Sequence, residues 1–479
     1  MEEKSILSVG IDIGTTTTQL IFSILKLRNT AGATQAPRYS ITGREIIYES
    51  PIVFTPKTSA PSSEELDRAA LDRVIAAWYA EAGLSRESVD TGAVIVTGES
   101  LKSANAKTTV MELSARLGDF VVATAGPRLE SIIAGRGSGA AALSESGKTV
   151  LNIDIGGGTS NYAVFRLGNV LDAACLNVGG RLLRTDEQGR VQQIAPSLHP
   201  VLKDLFGQVS TSLEPNALLR LADRLADLIY DTAAGKPCSL ARILLQTQPL
   251  KPGYHYDAVT ISGGVGECMR QPGGDPFRYG DLGPLLAQAL LRHPGLRSLP
   301  LTPPSSTVRA TVIGAGSWFL SLSGSTVWAE SEAFPLRNLP VVIIPTDWPR
   351  EQNSLAAFLR ERIALYDLDP EVELFALAFG NMQPTYADVH SLAMGLADFW
   401  RAVHWKSAKT ATDTLVVALQ ADAGKALGME LRPLLPDCRL IVVDEVRLAD
   451  GDYLDLGKPI TRGGLVPLVV KSLAFSGER

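Results

Sequence analysis

The sequence has little surplus positive charge, no paired cysteines and no long apolar run, and each shortage removes a class of function. Lys and Arg number 45 against 51 Asp and Glu, a formal charge of -6 at pH 7. Without a basic excess, bulk electrostatics cannot hold nucleic acid or an anionic lipid surface. The four cysteines, Cys175, Cys238, Cys268 and Cys438, show no CxxC spacing, which argues against a zinc centre or an iron-sulfur cluster held by local pairs. Reduced, mostly buried thiols are expected. The histidines, His199, His255, His293, His390 and His404, are also isolated. No uninterrupted apolar stretch reaches the roughly 18 residues a membrane span needs, and the opening MEEKSILSVG is acidic where a signal peptide is basic. The expectation is a cytoplasmic protein that engages neither nucleic acid nor membrane.

Two common nucleotide signatures are missing as well. There is no G-x-x-x-x-G-K-[ST], and Gly135-Arg-Gly-Ser-Gly139 does not complete G-x-G-x-x-G. Ala423-Gly-Lys425 lacks the upstream glycine of a P-loop and reads as a helix start.

What is present is ordinary globular material, 45% apolar and 20% charged over 479 residues, too long for one core. Three α/β units are expected, at 1–145, 146–330 and 331–479. The first opens with an apolar strand, Ile6 to Asp12, a turn at Gly14 and a second strand from Thr18 to Leu25. The pattern returns as Thr149 to Asp154, then Gly156, Gly157 and Gly158, then Ser160 to Phe165. Between the copies, Ser62-x-x-Glu65 reads as a capping box before a helix face of Leu66, Ala70, Val74 and Trp78. After the second copy, Leu218, Leu221, Leu225 and Leu228 mark an amphipathic helix. Ala258 to Ile261 is then a strand running into Ser262-Gly263-Gly264, and the proline-rich 293–304 reads as a surface loop. Beyond 330, apolar runs at 341–344, 374–379, 415–419 and 440–443 alternate with helical stretches at 354–363 and 386–400. There Asp444, Asp450, Asp452 and Asp455 read as solvated turn residues around Asp450-Gly451 rather than metal ligands.

The duplicated turn has a chemical reading. Phosphates need close backbone N–H donors, which glycine permits. Magnesium bridging phosphates keeps several waters, so a carboxylate beside each turn is enough to hold its hydrated shell. Asp12 and Asp154, one on each copy, would close on a triphosphate from two sides.

These residues resemble the actin, Hsp70 and sugar-kinase superfamily. Its first phosphate motif is similar to 12–18, its second to 154–159 and its adenosine motif to Ile261-Ser-Gly-Gly-Val-Gly266. Its connecting helices are similar to 129–135 and 312–316. The resemblance implies two ribonuclease-H-like lobes with ATP or ADP and Mg2+ between them, beside a C-terminal α/β domain. It implies that Asp12 and Asp154 face the metal and that Gly14, Thr15, Thr16, Gly156, Gly157, Gly158 and Thr159 cradle phosphate. Ser262, Gly263 and Gly264 would meet the nucleoside, and Glu130 would position water. Where Hsp70 proteins have an acid, this chain has Asn161, which cannot accept a proton as a carboxylate does and so predicts slow hydrolysis.

A narrower resemblance spans the chain. "LNIDIGGGTSNYAVF", Asn177-Val-Gly-Gly-Arg-Leu-Leu183, "DGDYLDLGKPI" and "LVPLVVKSLAF" resemble the reactivating factors of ethanolamine ammonia-lyase. That family implies a chaperone that uses ATP to let damaged cobalamin leave an adenosylcobalamin-dependent lyase during ethanolamine utilisation. The implied partner is the lyase carrying damaged cobalamin. The implied place is the cytoplasm, with an ethanolamine-utilisation microcompartment as a further expectation, and self-association into a homo-oligomer is left open. The alternatives are a small-molecule kinase, with Asp172, Asp186 or Glu267 as base, an actin-like filament protein, and an iron-sulfur activator, which the dispersed cysteines disfavour.

Overall fold

The computed structural model describes residues 3–14, 17–29, 39–51, 53–58, 65–97, 121–186, 188–305, 317–322, 328–329, 336–349, 352–380, 382, 385–404, 413–457 and 467–472. Thr15, Thr16, Ser62 and the candidate connecting helix at 312–316 lie outside these residues.

The N-terminal sheet contains β1 (Glu3–Ile13), β2 (Thr17–Asn29), β3 (Tyr39–Glu49), β4 (Val53–Phe54), β5 (Thr91–Thr97) and β6 (Val121–Ala125). Its order is β3-β2-β1-β5-β6, with β4 on β2. The first three strands are antiparallel, and β5 and β6 then run parallel to β1. Alternation along β1 sends Val9, Ile11 and Ile13 into one core. Helix Arg68–Glu81 covers that core with Leu71, Ile75, Trp78 and Tyr79, a face rotated from the Leu66, Ala70, Val74, Trp78 stripe read from the sequence. The helix start also differs. Leu66 is bridged to Lys57 in extended conformation, so the cap falls on Asp67, whose carboxylate accepts the Ala70 N–H at 3.0 Å.

The second sheet repeats this plan. It contains β7 (Val150–Ile155), β8 (Ser160–Arg166), β9 (Asn169–Leu176) and, after the small hairpin β10 (Leu183–Thr185) and β11 (Val191–Ile194), β12 (Ala258–Ser262). The order is β9-β8-β7-β12, antiparallel across the first three and parallel between β7 and β12. A parallel bridge from Val259 to Leu301 adds a fifth position. The segment at 293–304 is therefore more than a surface loop: it carries this bridge, a one-turn helix Pro294–Arg297 and the buried Leu296. Leu151, Ile153 and Ile155 face a core shared with helices Pro215–Ala233 and Gly283–Arg292. The leucines at 218, 221, 225 and 228 are all buried there.

Helix Pro127–Gly137, with the shorter Ala140–Ser144, covers the opposite face of this second sheet through Ile132, Ala140 and Ala141. The longer helix joins the two lobes, and it is called the connecting helix below.

The last sheet begins before 331, because β13 (Ser317–Leu322) and β14 (Trp328–Ala329) are its edges. Its parallel centre is β15 (Leu336–Ile344), β16 (Ala376–Phe379), β17 (Thr414–Leu419) and β18 (Arg439–Val443). Helices Gln352–Ala364, Tyr386–His404 and Gly424–Leu434 connect successive members. Antiparallel β19 (Asp452–Leu456) and β20 (Pro467–Ser472) link this centre to β13. Gly451 has φ +84°, as a turn requires, yet Asp444, Asp450 and Asp452 are buried, not solvated. Each meets a donor: Asp444 accepts from the Gly424 N–H, Asp450 pairs with Arg136, and Asp452 accepts from the Ala449 N–H. Among the described residues no helix is long and apolar enough to cross a membrane, and the four cysteines are free thiols.

Candidate functional site

Each candidate carboxylate stands near the end of a central strand beside the turn that follows it. On the first lobe, register places Asp12 opposite Gln19, whose side-chain amide donates to Asp12 Oδ2 at 3.3 Å. The Gly14 carbonyl accepts from the Thr55 hydroxyl at 2.7 Å, and Thr55 also meets the Thr18 hydroxyl at 3.0 Å. Gly14 and Thr18 are thereby both tied to Thr55, the residue that follows β4.

On the second lobe the site is a connected polar network. Period-two alternation puts Asn152 and Asp154 on one face of β7, and register brings Ser262 beside Asp154. The Ser262 hydroxyl donates to Asp154 Oδ1 at 2.7 Å and accepts from Asn152 Nδ2 at 3.2 Å. Asn152 Oδ1 accepts from Ser138 and Thr260, each at 2.8 Å. Burial pushes the Asp154 carboxyl up to about 6, with the Ser262 hydroxyl pulling the other way. A carboxylate held this way is short of positive charge, and a nearby cation would supply it.

The glycine turn is fixed from behind. Gly180 N–H donates to the Gly156 carbonyl at 2.9 Å and Arg181 N–H to the Gly157 carbonyl at 2.7 Å. A side chain at Gly179 would stand 2.5 Å from the Gly157 carbonyl oxygen, and one at Gly180 would stand 2.8 Å from Gly283 Cα, which together account for the glycine pair in Asn177-Val-Gly-Gly-Arg. In a trans peptide the N–H opposes the C=O. The amides of Gly157 and Gly158 therefore point away from residues 180–181.

The Ser262-Gly263-Gly264 segment is a strand passing directly into helix Gly263–Arg270. Gly263 has φ +83° and lies against the Ile155 backbone, where no side chain fits, whereas a Cβ at Gly264 meets nothing within 4 Å. The two glycines thus have different jobs, one in packing and one beside open space.

Glu130 occupies the first turn of the connecting helix and accepts from Asn161 Nδ2 at 3.2 Å. Asn161 is the cross-strand partner of Asp154 and lies 3.5 Å from the Thr159 hydroxyl. This explains the departure noted at 161: an amide can donate to Glu130, while an acid there would repel it. The structure thus brings Glu130, Asp154, Thr159, Asn161 and Ser262 into one neighbourhood, with Asp12 and Gly14 on the other lobe. Asn152 and Ser138 were missed by the sequence reading, although Asn152 was detectable as a polar residue two positions before Asp154.

The proposed kinase bases take other places. Asp172 is bound to the Lys251 and Ala173 N–H groups. Asp186 binds Arg190 in the hairpin turn, and Glu267 accepts from the side chain of Gln271, which caps the end of its helix.

Comparison with known proteins agrees along the whole chain. Residues 4–476 match the family described as Ethanolamine utilisation protein EutA. The ethanolamine ammonia-lyase reactivase EutA of Salmonella typhimurium is 48% identical over 99% of this chain and 100% of its own, and that of Escherichia coli K12 gives the same figures. Among solved structures, MreB 5 of Spiroplasma citri bound to AMPPNP is 13% identical with a TM-score of 0.33, covering 64% of this chain and 94% of its own. On the full-length match, the chain belongs to the EutA family of ethanolamine utilisation proteins.

Proposed function

We propose that this protein is an ATP-dependent reactivating chaperone for ethanolamine ammonia-lyase. The observation that carries the reading is 48% identity over 99% of the chain to relatives named reactivases of that lyase. The network around Asp154 supports the ATP-dependent part. The amides of Gly157 and Gly158 would receive phosphate oxygens, and Gly264 would leave room for the nucleoside. Glu130, held by Asn161, would orient the attacking water, with only slow proton removal. Asp12 and Asp154 would hold hydrated magnesium. Their hard carboxylate oxygens suit that ion, which needs no protein cage because it keeps waters and phosphate ligands. Magnesium, when bound, supplies charge against the phosphates.

ATP would then shift the lobes between two states of different affinity for the lyase, in the cytoplasm or an ethanolamine-utilisation microcompartment, letting damaged cobalamin leave. The test uses ethanolamine ammonia-lyase inactivated with hydroxo- or cyanocobalamin and supplied with fresh adenosylcobalamin. Addition of this protein with ATP and magnesium should restore deamination, and omission of ATP should abolish the recovery. Persistent inactivity, together with phosphate appearing on a small hydroxyl compound, would replace this reading with a kinase.

A further inference from the structure

The connecting helix is held by the C-terminal domain at the end that carries Glu130. Asp367 follows helix Gln352–Ala364 and has φ +56°, a left-handed conformation that aspartate tolerates better than most residues. Its Oδ2 accepts the N–H groups of Arg128 at 2.7 Å and Leu129 at 3.1 Å. These are first-turn amides that the helix itself cannot satisfy. The helix's own N-cap position is Gly126, which has no side chain to do this. A side chain there would stand 2.5 Å from Asp367 Cβ, so the glycine makes room for a cap from another domain.

The contact has support along the helix. The Arg128 guanidinium donates to the Ala364 carbonyl at 3.0 Å. Leu129 and Ile133 join the C-terminal core with Leu355, Leu359 and Ile363, while Ile132 faces the second lobe. At the far end Arg136 pairs with the buried Asp450. Glu130 is the residue after the two capped amides, so its position depends on the same first turn.

We propose that Asp367 is a positioning residue for Glu130, through which the C-terminal domain sets where that carboxylate stands in the ATP cleft. The inference rests on the proposed role of Glu130 in hydrolysis and extends it to a domain outside the two lobes. Loss of the cap frees the first turn, and small misplacements of an orienting group are costly to rate.

The experiment measures ATP hydrolysis and ATP affinity for the full-length chain and for Asp367→Ala, Asp367→Asn, Glu130→Gln and the Asp367→Ala/Glu130→Gln double variant. Asp367→Ala should lower kcat roughly tenfold with little change in KM or calorimetric Kd. Asp367→Asn keeps an acceptor oxygen and should restore most of the rate. The double variant should be no slower than Glu130→Gln alone, because the two act through one group. Gly126→Ala reaches the same contact from the other side and should reproduce the kcat loss if Asp367→Ala does not fold. A normal kcat in Asp367→Ala or Gly126→Ala beside an impaired Glu130→Gln overturns this inference and leaves the ATPase reading standing. Multiplicative losses in the double variant also overturn it. A fully active Glu130→Gln overturns the role of Glu130 and this inference with it.

Discussion

The Ser262 hydroxyl donates to Asp154 Oδ1 at 2.7 Å, joining residues 108 positions apart across β12 and β7. This bond links the end of β12 to the end of β7. It also steadies a carboxylate whose burial favours the neutral form.

Asp154 should therefore weaken the nucleotide-free protein. Its carboxyl is raised from 3.8 to about 6 in the fold, so the folded state holds its proton more tightly than the unfolded chain. Stability is favoured below the unfolded value and is lost as pH rises from about 4 to about 6. Asp154→Asn removes that loss while keeping an acceptor for Ser262. Urea denaturation without nucleotide should show the variant gaining up to about 3 kcal/mol above pH ~6 and nothing near pH ~4. An equal effect at both pH values would rule out this account.

The same substitution should harm catalysis. Asp12→Asn and Asp154→Asn each remove a carboxylate proposed to support the hydrated metal, and each should lower magnesium-dependent ATP turnover by roughly tenfold or more. Circular dichroism would confirm folding. Unchanged turnover in both folded variants would refute the assignment.

The two adjacent glycines allow a direct separation of folding from binding. Gly264→Val adds a side chain where the Cβ meets nothing within 4 Å, so thermal stability should hold while Kd rises together for ATP and ADP. Gly263→Ala forces a side chain onto φ +83° and against the Ile155 backbone, and should destabilise the chain by about 1 kcal/mol or more. Calorimetry and melting of both variants test the pair. Unaltered affinity in Gly264→Val would move the nucleoside elsewhere.

Arg136 and Asp450 should govern the hold between the connecting helix and the C-terminal domain. Burial alone would push the Asp450 carboxyl up, but Arg136 and Arg362, with the Tyr366 hydroxyl, hold it below the ordinary carboxylate range. A depressed carboxylate contributes stability above its unfolded value that disappears as pH falls through the folded one. Asp450→Asn should cost about 3–5 kcal/mol at neutral pH by leaving Arg136 buried and unpaired. The gap should close as the wild type is acidified below pH ~4. Arg136→Met combined with Asp450→Asn should recover part of the loss. A pH-independent gap would count against the ion pair as its source.

Local pattern was enough to find the repeated strand, glycine turn and strand, because alternation and glycine are properties of a few neighbouring residues. It placed Asp12 and Asp154 near the ends of β1 and β7, and the leucine spacing located helix Pro215–Ala233. It erred where the deciding partner was distant. Ser62 looked like a cap, but pairing of Leu66 with Lys57 delays the helix until Asp67 supplies the cap. The aspartates near 450 looked solvated, but Arg136 on the connecting helix draws Asp450 into a buried ion pair.

The sequence by itself determined the repeated strands that end in Asp12 and Asp154, the duplicated lobe plan and, through its full-length likeness, the family. Only the tertiary structure decided that Ser262 holds Asp154, that Gly180 and Arg181 fix the glycine turn from behind, that Asn161 binds Glu130, and that Asp367 caps the helix carrying Glu130. Strand alternation and turns arise from short-range sterics and hydrogen bonding, which each segment carries in its own residues. The other contacts join distant segments, and their partners are chosen only when packed sheets and helices bring buried donors to the acceptors they must satisfy.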